Sequence, residues 1–218
     1  MEQDKQDIMT TEQEKQPNED TGVHVEGHIK IHDPESGEVF VDKRNAIHYE
    51  NISEALALSV ANKTTGFIHE MHFGNGGTSV DPTGVITYLP ANNTGQNADL
   101  YNKTYYKVVD DTSSLNNDPS RNKIEVRHTT GNNYTDILVT CLLDFGEPSG
   151  QSAFDNTSNL DEEYVFDELG LKSWTGTVAT GKLLTHVVFH PVQKSLNRLI
   201  QIDYTVRIQS LTNLTGVA

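Results

Sequence analysis

The sequence predicts a mainly β protein: an antiparallel β-sandwich or partly open barrel, with one short α-helix packed on the sheet and long loops. Three observations carry that expectation. Residues 199–208 alternate cleanly, with Leu199, Gln201, Asp203, Thr205 and Arg207 on one side and Ile200, Ile202, Tyr204, Val206 and Ile208 on the other. A period of two over ten residues belongs to a half-buried strand. Residues 21–32 repeat the pattern, with Val23, Val25, Gly27, Ile29 and Ile31 facing one way and His24, Glu26, His28, Lys30 and His32 the other. Between such runs lie stretches rich in Asn, Asp, Gly and Thr, the residues of turns and loops.

Taken in order, residues 1–22 are polar and poor in anchors, and are expected to be disordered or ordered only by a partner. Residues 23–218 are then one β-rich structural domain with a loop excursion at about 74–100. The turn DPESGE at 33–38 joins the first strand to a short partner at 39–41, forming a hairpin. Asn51 and Glu54 resemble a capping box, and Ile52, Ala55, Leu56 and Val60 share a face, which places a helix at about 52–62. Strands are expected at 67–73, 85–89, 101–109, 123–128 and 134–145; the last reads as a central strand covered on both faces. The stretch 160–171 reads as a turn of helix or an extended segment ending at Gly170. Two apolar runs, 183–189 and 199–208, form a closing ribbon on either side of a polar connector, with His190 and Pro191 at the end of the first run. Loops of ten or more residues are uncommon in compact monomers and point to binding or to ordering by neighbours.

The chain has 218 residues, with 16 basic and 31 acidic side chains and a formal net charge of -15. That balance argues against nucleic acid as a direct ligand, because phosphate binding needs clustered Lys and Arg. Cys141, the single cysteine, sits in the apolar run ILVTCLLDF and is expected to be a buried, inert thiol. The polar start and the lack of a long apolar run lead us to expect maturation in a cytoplasm without entry into a membrane.

Chemistry is not drawn in the sequence. His69-Glu70-Met71-His72 has the ingredients of a zinc protease motif, but its histidines are three apart in a strand-like segment rather than four apart on a helix. His24, His28 and His32 share a strand face at intervals of about 13 Å, too far for one ion. His186 and His190 share a face with Val188 between them, but Pro191 follows and makes His190 a turn-flanking residue at the strand end. The clusters Asp110-Asp111, Asp161-Glu162-Glu163 and Asp167-Glu168 read as solvated loop acids rather than a hydrolase dyad. Gly74-Asn75-Gly76-Gly77 lacks the Lys-Ser/Thr of a phosphate loop. Trp174, Tyr101, Tyr105 and Tyr106 are the candidates for a carbohydrate-binding surface. No catalytic residue, metal ligand or cofactor is assigned.

The run FDELGL (166–171), followed by LLTHVVFHPVQKS (183–195) and LIQIDYTVRI (199–208), resembles a pattern in structural proteins of tailed bacteriophages. The matching residues are Phe166, Glu168, Gly170, Leu171, Leu184, His186, Phe189, Pro191, Lys194, Ile202, Tyr204, Thr205 and Ile208. The segment from Arg44 to Pro90 also looks like virion proteins of large-tailed marine phages. The resemblance implies a non-enzymatic virion subunit of the neck (the head-to-tail connection) or the tail, assembled in the host cytoplasm. Its partners would be copies of itself, in a homo-oligomeric ring or lattice, and other virion proteins, without nucleic acid or membrane. The residues expected to carry assembly or structure are Phe166, Glu168, Gly170, Leu171, His186, Phe189, Pro191, Lys194, Tyr204 and Thr205. A host-attachment or carbohydrate-binding module and a metal-dependent hydrolase are the alternatives.

Overall fold

The computed structural model describes residues 22–153 and 163–211. The arm at 1–21, the acids Asp161 and Glu162, and the tail from 212 lie outside the described residues. The strands are β1 (Gly22–His32), β2 (Val39–Ile47), β3 (Ile68–Gly74), β4 (Thr78–Val80), β5 (Ile86–Tyr88), β6 (Lys103–Val108), β7 (Lys123–His128), β8 (Tyr134–Leu143), β9 (Glu163–Ser173), β10 (Thr185–Ser195) and β11 (Ile200–Leu211), with one helix, α1 (Tyr49–Val60). Nine strands form one antiparallel sheet in the order β6-β3-β9-β10-β2-β1-β11-β8-β7, and β4 and β5 form a separate hairpin.

The sheet is curled and open. β10 meets β2 over only two residue pairs, Thr185 with Ile47 and His186 with Ala46. This seam divides a four-strand half, β6-β3-β9-β10, from a five-strand half, β2-β1-β11-β8-β7. The halves face each other across one core: Phe73, Phe166, Leu169 and Phe189 from the first, Ile29, Cys141, Ile202 and Tyr204 from the second. Phe166 sits edge-on to Phe73 at 5.4 Å and to Phe189 at 5.7 Å, arrangements that aromatic quadrupoles favour. Far from the seam, Lys107 on β6 reaches the Leu142 carbonyl on β8 at 2.6 Å.

Several sequence expectations need correction. The two strands of the closing ribbon do not pair with each other: β10 lies against β9 and β2, whereas β11 lies between β1 and β8. The alternation of 199–208 shows that one face is buried but does not name the neighbours, and the connector steps from one half of the sheet to the other. β10 also does not end at His190. It continues through Pro191 to Ser195, with a register shift between Val188 and Val192. Proline has no N–H to give to a ladder and is tolerated at such a bulge. Of the two alternatives for 160–171 the extended one holds over the described residues from Glu163, and β9 runs past Gly170 to Ser173. β8 is next to the edge rather than central, and only its later half, from Val139, is largely buried.

The helix starts earlier than expected. Its N-cap is His48, whose Nδ1 accepts from the Asn51 N–H at 3.2 Å, so Asn51 is inside the first turn. The helix carries the chain from β2 to β3 and buries Ile52 and Ala55 in the core. The excursion at 74–100 contains the β4–β5 hairpin, of which only the second strand was expected.

Candidate functional site

On the four-strand half, the face opposite the core is polar and buried. The register sets Glu70, His72 and Gly74 on β3 opposite Lys172, Gly170 and Glu168 on β9. Antiparallel partners share a face, so these residues form one patch with His186 of β10. Leu169 and Leu171, one step out of phase, enter the core. Burying Glu, His and Lys together is costly unless each finds partners. The covering layer supplies them: the excursion from 75 to 102 and the turn at 174–182.

Glu168 is the hub, with no solvent exposure. Its Oε1 accepts the N–H of Asn102 at 2.8 Å and of Gly76 at 3.2 Å. Its Oε2 accepts the N–H of Tyr101 at 2.9 Å and lies 3.0 Å from His186 Nε2. His186 Nδ1 accepts the Asn92 N–H at 2.7 Å, so the ring proton sits on Nε2 and is donated to Glu168. A carboxylate has about four acceptor sites, and all four are filled. Burial pushes the Glu168 carboxyl up, but His186 and the N–H groups of Asn102 and Tyr101 outweigh it and hold the group below its ordinary value.

The neighbouring acids behave in the same way, with one exception. Asp167 accepts the N–H of Gly77 and of Thr78, each at 2.9 Å, and the Thr78 hydroxyl. Burial nonetheless raises its pKa, with Glu168 adding to the rise. Glu70 accepts hydrogen bonds from His72 Nε2 at 2.7 Å and from the Ala179 N–H at 3.0 Å, fastening the turn at 174–182. Burial opposes ionisation of Glu70, but these partners keep its pKa lowered. Burial also lowers the His72 pKa, against the pull of Glu70, and its ring stacks on Tyr106 at 5.3 Å. Lys172 is buried and reaches Asp99 of the excursion at 2.8 Å.

Gly170 lies between Glu168 and Lys172 on this face. A Cβ there would collide with the Thr185 carbonyl and the Leu183 side chain, so β10 packs against bare backbone. Lys194, at the far end of β10, is a second buried hub. Its Nζ donates to the carbonyls of Glu147 and Ser195, each at 2.7 Å, and of Asp144 at 3.1 Å. Burial pulls its pKa down to about 8, despite the nearby carboxylates of Glu147 and Asp144.

The ten residues carried by the resemblance therefore divide. Phe166, Leu171, Phe189 and Tyr204 are core. Glu168, Gly170 and His186 meet in the polar layer. Lys194 ties the loop after β8, Pro191 sits at the β10 bulge, and Thr205 lies half-buried opposite His28 and Leu138. The four aromatics proposed for a sugar surface are not gathered: Tyr105 is buried, and the Trp174 ring packs on His69 at 4.2 Å. His190 is exposed and meets Tyr88 rather than His186. His28 and His32 pair separately with Asp42 and Asp203, each at 2.8 Å. Sequence reading missed Glu70, Asp99, Asp167 and Lys172 as a set, and its solvated loop pair Asp167-Glu168 is instead buried in strand β9. The available signal was the string of ionisable residues in strand segments otherwise rich in apolar side chains.

The chain matches no family model, no curated protein and no solved structure.

Proposed function

We propose that this protein is a non-enzymatic assembly subunit of a tailed-phage particle, in the neck or tail, where it contacts copies of itself and other virion proteins. The observation that carries the proposal is the saturation of Glu168. Its acceptor sites hold four donors from the excursion and β10, so it fixes loop shape instead of offering a base to a substrate. Loops pinned to a sheet by buried carboxylates suit a subunit that must present a fixed surface to neighbours. The sheet supports the same reading, because an open sheet leaves an edge strand for a neighbour to use.

The test is compositional. Particles purified from infected host cells should contain this polypeptide in a fixed ratio of several copies to the main tail or neck components, measured by quantitative peptide mass spectrometry. Recovery of the chain only from the particle-free fraction would refute the assignment.

A further inference from the structure

The two edges of the sheet are treated differently. On β6 the outer edge is covered: Tyr106 exchanges hydrogen bonds with the Gln151 side chain at 2.9 and 3.0 Å, and the Ser152 N–H reaches the Thr104 carbonyl at 3.1 Å. On β7 no strand lies outside among the described residues. The Ile124 N–H points away from β8, since it is taken by Asp111 Oδ1 at 3.2 Å. Backbone direction alternates with period two, so the N–H and C=O groups of Val126 and His128 also face outward.

The side chains of β7 alternate as well. Ile124 and Val126 line an apolar groove of about 320 Å³, together with Ile137, Val206, Ile208 and Leu56. Val126 is 70% exposed. On the other face Lys123, Glu125 and Arg127 form a charged row, with Glu125 at 3.1 Å from each neighbour.

We propose that β7 pairs antiparallel with β7 of a second copy, about a two-fold axis at Val126. The charge row and the Asp111 contact together select that register. An axis at Val126 sets Glu125 opposite Arg127 of the partner subunit, twice by symmetry, and Val126 opposite its own mate above the groove. An axis at Glu125 sets Glu125 against its own copy and Lys123 against the partner's Arg127; an axis at Arg127 opposes two guanidinium groups. An axis at Ile124 also opposes Glu125 to Lys123, but it puts the N–H that Asp111 holds into both central bonds, whereas at Val126 that N–H is missing only from the outer bonds and the central Val126 pair is intact. Like charges directly opposite destabilise a strand pair, and opposite charges support it. The pairing joins two sheets into one and covers Val126.

This inference rests on the assembly reading and names the surface it uses. The experiment is light scattering coupled to size exclusion on the full chain, from roughly 1 to 200 µM, for the wild type and four variants. The wild type is expected to form dimers. Val126→Lys should abolish them, and Glu125→Arg or Arg127→Glu alone should each weaken them by about tenfold. The double variant Glu125→Arg/Arg127→Glu should restore them, because its pairs are inverted but complementary. Circular dichroism confirms that each variant is folded. A wild type that stays monomeric overturns the pairing, as do oligomers indifferent to all four variants. Particle content is measured separately, so the pairing can fail while the assembly reading stands, and the reverse.

Discussion

His186 Nε2 lies 3.0 Å from Glu168 Oε2, and both residues are fully buried. The two come from neighbouring strands, and between them they hold backbone N–H groups at Gly76, Asn92, Tyr101 and Asn102. One buried pair thus fixes both ends and the middle of the excursion. Glu168→Gln keeps the size but leaves one oxygen to accept and turns an NH₂ toward donors. The expected loss is roughly 3 kcal/mol in urea denaturation, since each stranded buried donor costs about 1–3 kcal/mol. Hydrogen exchange should accelerate first at Gly76, Tyr101 and Asn102. Equal acceleration over the whole sheet would show that Glu168 does not act on the excursion specifically.

Acid should loosen the same layer. The pKa values of Glu168 and Glu70 are lowered from a reference of 4.5. Their contribution is fully present above 4.5 and is lost as pH falls through their folded values. Asp167 has the opposite sign: its pKa is raised from 3.8, so it takes a proton first in the folded state and offsets part of the loss. Urea midpoints against pH should therefore fall below the ordinary carboxylate range, and the fall should be shallower in Glu168→Gln.

At the alkaline end Lys194 should act in reverse. Its pKa drops from 10.5 unfolded to about 8 folded. Between those values the unfolded chain holds more protons, so its contribution to stability rises with pH. Lys194→Met should be less stable at neutral pH, because three carbonyls lose their donor. The rise from pH 8 upward should be smaller in that variant when midpoints are compared at matched pH.

Two glycines separate contact from conformation. Gly170→Ala forces a methyl against the Thr185 carbonyl and should cost about 2 kcal/mol through overpacking. Gly131→Ala meets open space, but at φ +94° it should cost about 1 kcal/mol through left-handed backbone alone. Thermal melts of both variants check the order.

Cys141 is fully buried, and burial pushes its thiol up to about 12. Thiol reagents should label it only through global unfolding, so Glu168→Gln should speed labelling in proportion to its loss of global stability and no more. Fast labelling of the native protein would place Cys141 outside the core.

Local signals carried much of this fold. β1, β7 and β11 were legible because each alternates against solvent on one face. The span of β7 was read without error, since turn residues bracket it on both sides. β10 was cut short because Pro191 reads as a stop unless a bulge is known to hold it. The partners of β10 and β11 were not legible, because a buried face can be met by any strand of suitable register. The role of Glu168 was hidden for a different reason. Its donors are backbone N–H groups from residues far along the chain, and a backbone group carries no sequence signature. His48 likewise caps α1 through ring geometry rather than through a typical Ser, Thr, Asp or Asn.

The most direct measurement of the proposed assembly role is a cryo-electron map of tailed-phage particles from a host that makes this chain. We expect the curled nine-stranded sheet at repeated, symmetry-related positions in the neck or tail, with the 75–102 excursion in its Glu168-bound shape. Particles that are complete without it, alongside a chain that remains a lone monomer in solution, would contradict the assignment.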